Sequence, residues 1–300
     1  MKPREPNIVK ILVNSFESDK LKESRGILVT ETNIHPTAII SPKSEIGEGV
    51  RIEPYTIVED HVQIGANTVI GPHVQIGKWT TIGEDCQIYF GASVGNPSKD
   101  LKYKGERSYV RIGNRNVLRE YVSISRSTFE DDETVVGDDN LFMNWVNIAH
   151  DCIIGSRVIM ANFATLAGHV VIEDDVRLGA YAALHQFVRV GRMAMAGGCS
   201  KIVQDIPPYM LSAGQPARVR DLNRLGIRTS RINPLSKLSP ETFALLKKAY
   251  RILFRSGLPL KHAVTKAKEE LPSDPDLEYL INFIEASKRG IGFSHPNRSL

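Results

Sequence analysis

Three patterns in the 300-residue chain predict a mainly β protein: a parallel β-helix of hexapeptide repeats, followed by a small α-helical C-terminal domain. Aliphatic residues hold every sixth position from Ile34 through Ile40, Ile46, Ile52 and Val58 to Val94. A small or β-branched residue stands two places before each of these guide positions from Ala38 onward, as at Ser44, Val50, Thr56 and Cys86. Beyond Ile202 the six-residue rhythm stops, and capped segments with helical periodicity replace it. Neither a 3.6-residue helical period nor plain strand alternation produces the first two patterns. A short strand plus a tight turn, repeated, does.

Residues 1–33 show no clear period, and we read them as an N-terminal extension, partly helical. The β-helix is expected over residues 34–206. Its guide residues point inward, the small residues share the interior, and the Gly that often follows a guide is assigned to corner conformations. Residues 96–109 and 125–134 interrupt the rhythm. Both are polar and lack guide residues, so both are read as loops ejected from the coil stack, where function tends to sit on a rigid scaffold. Between them the rhythm returns at Ile112, Leu118 and Ile124. It then runs unbroken from Val136 to Ile202, giving 26 hexapeptides in all, or about nine coils at three per coil. Residues 207–300 form a linker and the helical domain. Ser239-Pro240-Glu241 reads as an N-cap and first turn of a helix ending near Ser256 and Gly257. Further helices are expected near 259–271 and 274–288.

Composition narrows the function. Hydrophobic content of 42% and charged content of 24% are ordinary for a globular protein. No run approaches the ~18 apolar residues of a membrane span, and VKILV is too short for a signal-peptide core. The expected location is therefore cytoplasmic. Cys86, Cys152 and Cys199 form no CxxC pair, and each is expected as a buried thiol at a small-residue position. The net charge is uneven. Residues 201–300 hold 17 Lys+Arg against 9 Asp+Glu, a charge of +8, within a chain of +4 overall. A basic C-terminal third suits an anionic partner or substrate.

The chemistry concentrates in residues 147–170, where His150, Asp151 and His169 lie inside an unbroken rhythm. At about 18 residues per coil, His150 and His169 come one coil apart and nearly stacked, and His185 follows on the same edge with Gln186 beside it. A neutral imidazole is well suited to take a proton from a hydroxyl near neutral pH. Asp151 is the nearest carboxylate to orient it. A backbone N–H beside a glycine, such as Gly168, suits an oxyanion. No metal is expected, because a zinc site needs three or four closely placed N/S ligands. The HxxxxH spacing of the γ-class carbonic anhydrases is also absent. A non-catalytic β-helical scaffold is the reading from another class.

Specific motifs go further than the repeat. HPTAII (35–40), KDLKYKGE (99–106), GDDNLFM (137–143), NIAHDC (147–152), LAGHV (166–170), HQF (185–187), GGCS (197–200) and QDIPPYM (204–210) together resemble the UDP-N-acetylglucosamine O-acyltransferases that begin lipid A biosynthesis. The resemblance implies a left-handed β-helix and transfer of a (R)-3-hydroxyacyl chain from acyl carrier protein to the 3-hydroxyl of UDP-N-acetylglucosamine. His150 looks like the general base, Asp151 like its orienting carboxylate, and the Gly168 N–H like the oxyanion donor. Asp100 and Lys102 would contact the sugar nucleotide from a neighbouring subunit. Asn147, His169, His185, Gln186 and Arg224 would hold the substrate, and Gly198 would gauge acyl length. Where the family has a further His, this chain has Asn147. The alternative acceptor is accordingly a 3-amino analogue of the UDP-sugar, making the enzyme an N-acyltransferase. The resemblance further implies a homotrimer with active sites between subunits. It implies no cofactor, since the acyl group arrives on the phosphopantetheine of acyl carrier protein, and no nucleic-acid partner.

Overall fold

The computed structural model describes residues 32–228 and 238–293. The helical expectation for the N-terminal extension lies almost wholly outside them. Each of the 26 guide positions lies in one of the 26 short strands from Asn33–Ile34 to Lys201–Ile202. Consecutive strands never pair with each other. Each pairs in parallel with the strand one coil away, giving three sheets of nine, nine and eight coil strands, here A, B and C. The register is strict: in sheet B, Asn147 lies opposite Thr165, and Thr165 opposite Ala183. Both steps are 18 residues, so equivalent residues stack in columns down the coil.

The guide residues fill the interior. Ile52, Ile70, Leu118, Phe142, Ile148, Met160 and Leu166 are all at most 1% exposed. Each such side chain contributes about 1.5–3 kcal/mol by leaving water. With nine coils behind them, these columns form one continuous core.

Gly95 takes the left-handed conformation expected of a glycine after a guide (φ 80), but the other glycines that follow a guide have a different job. The left-handed corner conformation falls three residues past the guide, and there the chain uses Tyr55 (φ 60), Trp145 (φ 63), Asp151 (φ 60) and His169 (φ 58). The glycine directly after a guide is required by close approach of the next coil. A Cβ on Gly65 would lie 2.6 Å from the carbonyl carbon of Gly83, and one on Gly71 would lie 2.9 Å from the Ile88 carbonyl oxygen.

Below the last coil the expected linker contains a hairpin. Met210–Gly214 pairs in parallel with Met195–Ala196, extending sheet A, and in antiparallel with Ala217–Leu222. Among the described residues four helices follow: α1 (Arg224–Arg228), α2 (Pro240–Arg255), α3 (Leu260–Glu270) and α4 (Pro275–Glu285). Ser239 caps α2 by accepting the Thr242 N–H, and Asp274 caps α4 by accepting those of Asp276 and Leu277. The apolar faces of α2–α4 meet in a second core around Leu246, Leu253, Leu280 and Ile281. That core is tied to the β-helix through Asp276, which accepts from Arg192 and from the Tyr209 hydroxyl. None of the helices in the described residues is long and apolar enough to cross a membrane.

The cysteines divide. Cys86 and Cys152 stand two residues before a guide and are buried, whereas Cys199 stands three before Ile202, on a corner with φ 55, and is exposed. It therefore departs from the expected small-residue position, because the small interior residue of that coil is Ser200. Burial raises the Cys86 thiol and pushes Cys152 up to about 12, which suppresses the reactive thiolate. In the native protein at pH 7.5 a maleimide should label Cys199 rapidly. Cys86 and Cys152 should label only in denaturant, as read by mass spectrometry of the modified peptides.

Candidate active site

Four consecutive coils commit the same corner, where sheet B passes into sheet C, to something other than a plain turn. The first excursion leaves there after Asn96 and returns at Tyr109. The second leaves one coil later, after Ser125, and returns at Glu133. The third coil places His150 and Asp151 at this corner, and the fourth places Gly168 and His169 there. The polar loops thus spring from the coils directly adjoining the histidine corner. Arg126, 7% exposed, pins the first loop: its guanidinium lies 5.0 Å from the Trp79 ring centre and donates to the Tyr103 hydroxyl at 2.9 Å.

Asp151 is the hub. Its side chain is 5% exposed and that of His150 12%. One carboxylate oxygen accepts the Ser127 hydroxyl and the Thr128 N–H (3.2 Å), and the other lies 2.6 Å from His150 Nδ1. Burial pushes the Asp151 carboxyl up, but hydrogen bonds from Ser127, His150 and Thr128 outweigh it and leave the group below its ordinary value. An ionised Asp151 offers only acceptors, so His150 must carry its proton on Nδ1. Nε2 is then left with its lone pair. The positive φ at Asp151 recurs at corner after corner and is a property of the scaffold.

The stacking differs by one residue from the sequence expectation. Gly168, 18 positions on, lies beneath His150, and His169 lies beneath Asp151. The two imidazoles still meet edge to face at 5.4 Å, His169 Nε2 lies 3.5 Å from Asp151, and the His169 ring stacks on Phe187 at 4.7 Å. Gly168 is obligatory here, because a Cβ would lie 2.6 Å from His150 Nε2 and closer still to Cε1. Its N–H makes no hydrogen bond among the described residues, as an oxyanion donor requires. His150, Asp151 and His169 form the candidate metal-ligand cluster of the described residues. In this geometry, however, the carboxylate is already committed to three donors.

The remaining expected residues fall into two groups. His185 and Gln186 occupy the same corner one coil below His169, both exposed, and Asn147 projects outward from sheet B at the adjoining strand. Asp100 is half-buried on the first loop, where it accepts the Lys102 N–H at 2.9 Å, and Lys102 is exposed. Their loop is anchored to the His150 corner of its own chain through Ser98, whose hydroxyl lies 2.8 Å from that of Thr128. Gly198 lies across sheet B, on the corner between sheets A and B. The next residue, Cys199, lines an open depression of ≈510 Å³ together with Tyr181, Ala183, Ser200, Lys201 and Gln215. Arg224 begins α1 beyond the last coil and pairs with Asp221 at 3.0 Å. It lies at least three coils from His150, roughly 14 Å at the ~4.8 Å strand spacing, so one chain does not bring the two together. Ser127 and Thr128 were not anticipated as site residues. Their signal is the coil phase, since Ser127 stands three past guide Ile124 just as Asp151 stands three past Ile148.

Coils of this kind carrying a histidine–carboxylate pair define a hexapeptide-repeat transferase, and the six-repeat bacterial transferase hexapeptide model matches residues 61–96 and 133–168. A second model, UDP-N-acetylglucosamine O-acyltransferase domain 2, matches residues 205–292. The acyl-[acyl-carrier-protein]–UDP-N-acetylglucosamine O-acyltransferase of Thermodesulfovibrio yellowstonii is 50% identical over 86% of this chain and 98% of its own length. That of Burkholderia orbicola is 47% identical over 87% and 99%. Among solved structures, LpxA from Acinetobacter baumannii is 41% identical over 86% of this chain and 99% of its own, with a TM-score of 0.80. This chain belongs to the acyl-[acyl-carrier-protein]–UDP-N-acetylglucosamine O-acyltransferase family. Its fold is the left-handed parallel β-helix with a small helical domain.

A Gly168→Ala substitution should displace the His150 ring while leaving the guide columns intact. Acyl-transfer kcat should fall on the order of 10²-fold, the usual cost of a misplacement near 1 Å, with the thermal midpoint within about 2 °C of wild type. A kinetic assay paired with a melting curve checks both.

Proposed function

We propose that this chain transfers a (R)-3-hydroxyacyl group from acyl carrier protein to the 3-hydroxyl of UDP-N-acetylglucosamine, the first step of lipid A biosynthesis, with His150 as general base. The observation that carries this reading is the Asp151–His150 pair. An ionised, well-bonded carboxylate holds Nδ1–H, and Nε2 is left to accept a proton. Nε2 removes the sugar hydroxyl proton as the oxygen attacks the thioester carbonyl carbon. The developing imidazolium is stabilised by Asp151, and the oxyanion by the Gly168 N–H. Collapse of the tetrahedral intermediate breaks the C–S bond, and His150 returns its proton to the departing phosphopantetheine sulfur. Catalysis needs no cofactor of the protein's own, since every proton and electron pair in this sequence is accounted for.

His169, His185, Asn147 and Gln186 surround the reacting centre along the corner and the outer face of sheet B, and hold the sugar nucleotide. Arg224 and the Asp100–Lys102 loop complete the site across a homotrimer interface. Two features support that assembly. Arg224 lies too far along the coil axis to serve its own His150, and Leu101, between Asp100 and Lys102, is 101% exposed, as a side chain awaiting a neighbouring surface would be. The acyl chain runs across the small residues Thr165 and Ala183 of sheet B toward the depression beside Gly198, which gauges its length. The basic C-terminal third faces the acidic acyl carrier protein.

With 3-hydroxyacyl carrier protein as donor, purified protein should acylate UDP-N-acetylglucosamine. His150→Ala should lower kcat by about 10³-fold or more without loss of folded protein. Faster transfer to the 3-amino sugar nucleotide than to the 3-hydroxyl acceptor would reassign the chain to N-acylation. An active His150→Ala enzyme would overturn the base assignment.

A further inference from the structure

We infer that Thr128 is a positioning residue that links the Asp100 loop to the Nδ1 side of His150, the side away from the proton-accepting nitrogen. The inference rests on His150 being the base. Thr128 is 1% exposed and touches three parts of the site at once. Its N–H donates to Asp151 at 3.2 Å, its Oγ1 lies 3.0 Å from His150 Nδ1, and the same Oγ1 lies 2.8 Å from Ser98 Oγ. Ser98, 9% exposed, in turn accepts the Asp100 N–H at 3.2 Å. An unbroken path of hydrogen bonds therefore runs from the backbone beside Asp100 through two hydroxyls to the base.

The protons along that path are determined by its ends. Asp151 is ionised, so Nδ1 carries a hydrogen and can only donate. Two acceptors face that hydrogen, the Asp151 carboxylate at 2.6 Å and the Thr128 hydroxyl oxygen. Thr128 is then free to direct its own hydrogen to Ser98. In this arrangement the Thr128 oxygen supports the imidazolium that forms during proton abstraction, and it fences the ring on the side opposite Nε2. The threonine also reports on the loop: if the Asp100 segment shifts, Ser98 moves, and the second acceptor of His150 moves with it. Sugar-nucleotide contact at the loop is thereby coupled to the alignment of the base. A side chain that merely filled the corner would need neither the hydroxyl nor its two partners.

The test compares the full-length proteins Thr128→Val, Thr128→Ser, Ser98→Ala and the double variant Ser98→Ala/Thr128→Val, with His150→Ala as reference. Thr128→Val keeps the shape and removes the hydroxyl. Its kcat should fall about tenfold, the effect of one such hydrogen bond, with KM for UDP-N-acetylglucosamine within about twofold. The acid limb of its kcat/KM profile should move to lower pH, because one stabiliser of the protonated ring is gone. Thr128→Ser should recover most of the rate. The double variant should be no slower than Thr128→Val alone, since both substitutions break one path. A Thr128→Val enzyme with wild-type kcat and pH profile beside an inactive His150→Ala would overturn the inference and leave the proposed function standing. So would failure of Thr128→Ser to rescue, which would assign the effect to the methyl group. An active His150→Ala enzyme would instead bring down the base assignment itself.

Discussion

Everything in this molecule depends on parallel pairing between strands one coil apart, held to an 18-residue register. Because each strand bonds only to its counterpart above and below, a residue's place within its hexapeptide decides which column it joins, for the whole length of the stack. Guide columns become the core. Corner columns become edges, and one edge is given over to chemistry. The constraint is steric as well as hydrogen-bonded, since coils approach closely enough that Gly65 and Gly71 have no room for a Cβ. Rigidity of this kind is what a proton-transfer site needs, because alignment within a few tenths of an ångström decides the rate.

The site itself is a solution to an electrostatic conflict. A carboxylate side chain only 5% exposed is disfavoured by loss of water and becomes tolerable only when its acceptor positions are filled. Ser127, Thr128 and His150 fill them, and the outcome is an Asp151 that stays charged. The same bonds orient the imidazole. Supporting hydroxyls come from the second excursion and, through Ser98, from the first, so the two interruptions of the repeat supply the surroundings the repeat alone lacks. On the outer face of sheet B the small residues Thr165 and Ala183 stand in register, one coil apart.

Much of the fold was legible because the β-helix writes its period directly into the sequence. Each of the 26 guide positions falls in a strand, and the cap Ser239 starts a helix where the capping pattern expects it. The hairpin at Met210–Leu222 was missed because Pro207, Pro208 and Pro216 read as pure linker. Its pairing depends on the edge strand Met195–Ala196, a partner no local pattern reveals. Within the site, His150, Asp151 and His169 come together as expected. The one-residue offset between 18 and 19 mattered, however: it placed Gly168 rather than His169 beneath the base, which explains why that residue is a glycine. Ser127 and Thr128 went unnoticed because they sit inside a segment set aside as a loop, although their phase relative to Ile124 places them beside Asp151. Cys199 shows the opposite error, a residue assigned to the interior by type when its phase puts it on a corner.

In the proposed mechanism Asp151 fixes His150 with its proton on Nδ1 and a bare Nε2 facing the substrate side. Nitrogen-15 spectra of the histidine rings in the unliganded full-length protein test this directly, with the His150 signals assigned by their loss in His150→Gln. Above the pH at which the ring is protonated, the expected spectrum shows a single neutral tautomer carrying hydrogen on Nδ1, with that preference lost in Asp151→Asn. A His150 ring with its hydrogen on Nε2, or an even mixture of tautomers indifferent to Asp151, would contradict it.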